Sequence, residues 1–146
     1  MKSTIVTKSK FYVGDPCYAL KDDIYDDVWG AMFNYQDGEI KIPGTEMAFA
    51  VVGTVIGDGC YPGNRFTDRT LQECYGFGVD SGTIAIIPVE LCDQKKLDDL
   101  DDMGAIIEYA GGKVSIERID ETETIEINWR NNSIIIDLNA DIWDDE

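Results

Sequence analysis

Three aspartates stand beside glycine or proline where β-rich runs end: Asp15 in Gly14-Asp15-Pro16-Cys17-Tyr18, Asp58 in Gly57-Asp58-Gly59-Cys60-Tyr61, and Asp80 in Val79-Asp80-Ser81-Gly82-Thr83. A carboxylate in such a place accepts hydrogen bonds from backbone N–H groups two residues on, and glycine takes the φ values other residues avoid, so each motif is sufficient to build a tight turn. The same residues can do more if the three turns meet at one end of a sheet. Asp15, Asp58 and Asp80, with Tyr18, Tyr61 and Ser81, would then surround one pocket able to orient a polar ligand or hold a hard cation.

The spacing narrows that chemistry. An EF-hand gathers its ligands within about twelve residues, and these aspartates are far more widely spread. Asp80-Ser81-Gly82-Thr83 matches the catalytic turn of aspartic proteases, but such enzymes face two of these turns across one shared proton, and neither other motif continues with Thr or Ser-Gly. Gly76, Gly78 and Gly82 miss the spacing of a phosphate loop and open no helix. The chain contains no histidine, which removes the commonest general base and every Ser-His or Cys-His nucleophile, so a histidine-free hydrolase is the least expected class. Cys17, Cys60, Cys74 and Cys92 form no C-x-x-C pair and are read as reduced thiols. No metal set and no cofactor is assigned, and no enzymatic activity is expected.

Charge is the strongest compositional signal. Lys and Arg number 12 against 29 Asp and Glu, a net charge of −17. Residues 1–89 carry 12 acidic and 7 basic side chains, whereas residues 90–146 carry 17 and 5, so the field comes mainly from the C-terminal part. Such a surface repels nucleic acid and anionic membrane and attracts basic protein surfaces. Asp98, Asp99, Asp101 and Asp102 cluster within five residues, and Glu117, Glu121, Glu123 and Asp137 are expected to project from nearby strands. These eight are the candidate partner-binding set: rows of negative charge that a basic groove would accept in place of phosphates.

The elements that must position these groups follow from periodicity. Residues 3–13 read as a first strand ending at Gly14-Asp15-Pro16. Residues 22–33 place Ile24, Val28 and Ala31 on one stripe, predicting a packed amphipathic helix with Asp22 as its N-cap. Strands follow around Pro43-Gly44; residues 57–64 read as a loop; two short strands, or one bent strand, follow about the Asp80-Ser81-Gly82 turn. Residues 93–103 form a short acidic helical turn with Leu97, Leu100 and Met103 inward. Beyond it, four alternating runs separated by Gly111-Gly112 and Asn131-Asn132 predict a C-terminal β-meander. The fold class is therefore α+β, mainly antiparallel sheet with one packed helix. A chain of 146 residues defaults to one domain, 1–146, with a subdivision between residues 1–91 and an acidic meander, 92–146. No apolar run approaches the length of a membrane span, and Lys8 and Lys10 interrupt the start, so a cytoplasmic protein is expected.

Residues 11–91, through Tyr12-Val13-Gly14-Asp15-Pro16-Cys17-Tyr18, the Gly57–Tyr61 turn and the strand after Val79-Asp80-Ser81-Gly82, resemble a loose set of small uncharacterised proteins of bacteria and their phages. The resemblance implies a mainly β fold and brings no activity or ligand with it. Joined to the acidic C-terminal part, it makes the expected function that of a phage-encoded, non-enzymatic inhibitor acting in the bacterial cytoplasm. Its expected partner is the basic surface of a host defence or nucleic-acid-binding protein, with no direct contact to nucleic acid or membrane. The alternative is a small-ligand or metal-binding module built on the three Asp turns.

Overall fold

Alternation of apolar and polar residues organises the chain into two antiparallel sheets. The computed structural model describes residues 2–25, 38–42, 47–54, 59–80, 82–100, 104–109 and 111–139. Its strands are β1 (Lys2–Thr7), β2 (Lys10–Gly14), β3 (Gly38–Lys41), β4 (Ala48–Gly53), β5 (Gly59–Thr67), β6 (Thr70–Val79), β7 (Thr83–Pro88), β8 (Ala105–Glu108), β9 (Gly112–Ile119), β10 (Thr124–Trp129) and β11 (Asn132–Asp137). Sheet A has the order β1-β9-β10-β11-β5-β6, and sheet B the order β3-β4-β7-β2-β8. Both sheets draw strands from either side of residue 91.

The inner faces of the two sheets pack together. Ile125, Ile127 and Trp129 of β10 and Ile134 and Ile136 of β11 meet Phe11 and Val13 of β2 and Ile84 and Ile86 of β7 in one buried cluster. Each such side chain contributes roughly 1.5–3 kcal/mol by leaving water. Sheet B is covered on its outer face too. There Tyr12, Phe49, Val51, Ala85 and Ile87 pack under Leu20, Leu91, Leu97 and Leu100. Among the described residues the cover includes two 3-10 turns, Pro16–Tyr18 and Val89–Leu91, a five-residue helix, Gln94–Asp98, and Ile24 and Tyr25 of the helical residues 22–25. This double burial explains the uninterrupted apolar run of β7, in which every residue is buried.

Several expectations are corrected. The run 3–13 is two strands in different sheets, with a corner at Lys8-Ser9. The β8–β9 connection turns the same corner beside it, where Tyr109 N donates to Ser9 O (2.9 Å) and Gly111 N to Thr7 O (3.0 Å). The meander has three strands, β9-β10-β11, because β8 pairs with β2 in sheet B. Residues 59–64, expected as part of a loop, open the long hairpin β5–β6. The second hairpin turn is Arg130-Asn131, one residue earlier than Asn131-Asn132, since Trp129 pairs with Asn132.

Of the helix expected over 22–33, residues 22–25 are helical and the remainder lies outside the described residues. Asp22 is not its N-cap. Tyr25 N donates to Lys21 O (2.9 Å), and the Asp22 carboxylate instead accepts from Lys96 Nζ (2.7 Å), which also donates to Leu20 O. The short acidic helix is capped by Asp93, whose carboxylate accepts from Lys95 N at 2.9 Å.

Candidate functional site

Two of the three Asp motifs meet. Asp15 ends β2, is 0% exposed, and receives Cys17 N on Oδ1 (2.8 Å), which caps the 3-10 turn Pro16–Tyr18. Its Oδ2 receives Asp80 N at 2.5 Å, across 65 residues of chain. Tyr18 OH then donates to Asp80 Oδ2 at 2.5 Å. Tyr12 OH donates to Asp15 O (2.9 Å), and its ring lies so close to Gly14 that a Cβ there would stand 2.5 Å from the phenol oxygen. Gly14 also has φ +149°, so both the backbone and the neighbouring ring demand glycine. The buried carboxylate of Asp15 is thus a latch that fastens the end of β2 to the end of β6. Asp80, which is exposed, faces solvent beside Tyr18.

The remaining pocket residues divide. Tyr61 belongs to β5 opposite Phe77 and is 1% exposed, inside the core between the sheets. Strand alternation sends it inward, whereas Tyr18 packs against the cluster on the far side of sheet B, so the two tyrosines do not share a pocket. Asp58 and Ser81 lie outside the described residues. The repeated Cys-Tyr pair therefore has three different settings: a 3-10 turn at Cys17-Tyr18, a core strand at Cys60-Tyr61, and the outermost strand of sheet A at Cys74-Tyr75.

All four cysteines are free, and no group of three or more His, Cys, Asp or Glu residues that could hold a metal ion occurs among the described residues. Burial, and then the charge of Asp15, pushes the Cys17 thiol far up, and burial with Glu90 nearby pushes Cys92 up to about 12. Both stay protonated at neutral pH, so neither supplies a thiolate nucleophile. Burial and the bond to Asp80 likewise raise the Tyr18 phenol.

The acidic set is split between opposite sides of the molecule. Asp98 and Asp99 end the short helix that covers the outer face of sheet B, with Asp98 accepting from Gln94 Nε2 (2.9 Å). Asp101 and Asp102 lie outside the described residues. Glu117 and Asp137 stand on the outer face of sheet A, and Glu121 and Glu123 are exposed in the β9–β10 turn. Sequence reasoning missed Glu126, which lies directly opposite Glu117. The alternation of β10, with Ile125 and Ile127 inward, was the signal that places it outside. Arg118 in this region reaches Asp120 (2.9 Å) and Gly53 O, but no lysine or arginine among the described residues forms an ion pair with Glu117, Glu121, Glu123, Glu126 or Asp137.

No helix among the described residues is long and apolar enough to cross a membrane. Compared with known proteins, the chain matches no protein-family model, no curated protein and no solved structure.

Proposed function

We propose that the chain is a non-enzymatic binding protein whose acidic end of sheet A docks on a lysine- and arginine-rich surface of another protein. The observation that carries this reading is the pair Glu117–Glu126. Like charges directly opposite on neighbouring strands destabilise a sheet, and a sequence chosen for stability alone would alternate signs there. Lys2 stands on the other side of Glu117, yet Asp137, Glu121 and Glu123 extend the negative end beyond it. A flat, acidic β-surface of this kind offers a nucleic-acid-binding protein something like the phosphate rows it already recognises. A phage-encoded inhibitor of a host defence protein is the biological setting this chemistry suits. Asp98 and Asp99, on the other side of the molecule, belong to a second negative surface that steers encounter at longer range.

The test is capture of a bacterial partner by the immobilised protein at rising salt. A basic partner should be retained at about 50 mM salt, lost by about 200 mM, and displaced by DNA. Replacing Glu117, Glu126 and Asp137 by their amides should slow association and leave folding intact, because charges on the solvent-facing side of a sheet matter more to encounter than to stability. A partner held equally at both salt concentrations and by the triple variant would overturn the proposal.

A further inference from the structure

The opposite end of sheet A's outer face carries the other sign of charge. Two hairpin turns lie side by side there, Asp68-Arg69 between β5 and β6 and Arg130-Asn131 between β10 and β11, brought together by the Asn132–Thr67 pair. They are tied by Asp68 N to Asn131 O (2.9 Å), Asn131 Nδ2 to Asp68 Oδ1 (2.8 Å) and Thr67 Oγ1 to Asn132 Oδ1 (2.7 Å). Beside them runs a groove of ≈ 520 Å³ whose lining includes Phe66, Asp68, Arg69, Asn128, Arg130 and Ser133, so two arginines outnumber one carboxylate that is itself engaged by Asn131.

The backbone at these turns is unusual. Asp68, Arg69 and Arg130 have φ of 50°, 68° and 51°, in the left-handed region where hairpins ordinarily use Asn or Gly. Turn formation alone gives no reason for arginine at two such positions, and costly backbone conformations are found where side chains have work to do. Arg130 is held in place: its Nε donates to Tyr109 OH (3.3 Å) and its guanidinium lies 5.4 Å from that ring's centroid. That bond uses one of its five N–H groups. Arg69, Asn128 and Ser133 make no side-chain hydrogen bond among the described residues, so their polar groups are available to the groove.

We infer that this groove binds a small phosphate monoester carrying a flat ring, of the size of a single nucleotide. Two guanidinium groups on adjacent rigid turns suit the oxygens of a phosphate. Phe66, half-buried on the outer face, offers a surface on which a ring can stack, and the Asn128 amide and Ser133 hydroxyl supply donors and acceptors for its edge or for sugar hydroxyls. The volume falls within the usual range for small-molecule sites. Net charge decides the ligand's size: a chain at −17 repels an extended polyanion along its whole length, whereas a short anion feels chiefly the arginines within a Debye length.

Calorimetry of the full chain with adenosine monophosphate at about 150 mM salt tests this, with adenosine and inorganic phosphate as separate probes. Adenosine monophosphate should bind with Kd below about 1 mM, and each fragment more weakly. Arg69→Asn and Arg130→Asn replace arginine by a residue that tolerates the left-handed region, so both variants should stay folded, Arg130→Asn trading its contacts with Tyr109 for a relaxed backbone. Each should nevertheless weaken binding at least about tenfold through loss of a charge-assisted hydrogen bond. Phe66→Ala should weaken it as well. Absence of binding at about 5 mM, or unchanged affinity in both arginine variants, would overturn the inference. Tighter binding of an oligonucleotide than of the monophosphate would also overturn it, assigning the groove to nucleic acid.

Discussion

Replacing Asp15 by alanine should be among the most damaging single changes outside the apolar core. Its carboxylate accepts Cys17 N at 2.8 Å and Asp80 N at 2.5 Å while being 0% exposed. A hydrogen bond to a charged group contributes about 1.5–3 kcal/mol, and the bond to Cys17 N is also the cap of the 3-10 turn. Asp80 is exposed, so its N–H can recover water when the carboxylate is removed, and its share is smaller. The sum is roughly 2–4 kcal/mol, or a fall in Tm of roughly 5–15 °C for a domain of this size. Asp15→Asn keeps one oxygen for Cys17 N but turns an N–H toward Asp80 N, and should cost about 1–2 kcal/mol. Urea unfolding followed by tryptophan fluorescence measures both, the native slope m showing that only stability has changed. An alanine variant within about 0.5 kcal/mol of the native chain would refute the assignment of Asp15 as a latch.

The thiols and buried phenol should make stability fall in alkali. Cys17, Cys92 and Tyr12 hold their protons in the folded state after the unfolded chain has begun to lose them. The unfolded state then binds fewer protons, so stability is unaffected by these groups below about pH 8 and declines as pH rises from roughly 9 toward 12; a Tm that climbs over that interval would contradict this. In the native protein a thiol reagent at pH 8 should modify exposed Cys74 rapidly and Cys60 and Cys92 only after denaturation, as a time course will show. Gly63→Ala should cost about 1–3 kcal/mol, because the new methyl would collide with the Phe77 ring and stand 3.2 Å from Ile136 Cγ1; chemical denaturation measures it. Glu126→Lys should relieve the repulsion with Glu117 and raise stability by roughly 0.2–1 kcal/mol while slowing association with a basic partner, and a lower Tm would count against the pairing.

The parts of the fold legible from sequence were those where alternation and turn chemistry agree. In β9 and β10 the inward residues Val114, Ile116, Ile125 and Ile127 are each followed by an outward polar one, so both faces are legible, and in β11 Ile135 breaks the pattern. The corner at Lys8-Ser9 was hidden because the alternation passes through it unbroken: Ile5, Thr7, Phe11 and Val13 all point inward, although they belong to two sheets. Periodicity gives the face of a strand, not its neighbour, and so β8 was assigned to the meander. β5 was disguised by Gly59, Pro62 and Gly63. Gly63 is small because Phe77 fills the space beside it, and Pro62 lies beyond the last β11–β5 pair, Ile136–Gly63, where a missing donor costs little. At the candidate site, the meeting of Asp15 with Asp80 was anticipated as a cluster of turns. Asp15 also accepts the N–H two residues on, at Cys17, as its turn motif predicts; the motif does not show the bond to Asp80 N, because burial and long-range contact decide whether a carboxylate's second oxygen serves a ligand or the backbone. The arginine turns carried no sequence signal, because Asp-Arg and Arg-Asn are not the dipeptides by which left-handed hairpins announce themselves.

The pairing of β1 with β9 also sets a schedule for the protein's birth. Lys2 pairs in register with Glu117, so β1 leaves the ribosome with its strand partner among the described residues still 115 residues away. At about 5–20 residues per second that interval lasts roughly 6–23 s, very long beside the microseconds in which a hairpin closes. The β5–β6 hairpin can form early, but it waits beside an empty place until β11 arrives to join it to the rest of sheet A. During that time β2, β4 and β7 of the facing sheet are already made, but β1 and the β5–β6 hairpin lack the sheet A neighbours that complete their pairing, and unpaired edges of this kind are where another chain can add. Sheet A therefore becomes continuous only once β9, β10 and β11 have been made.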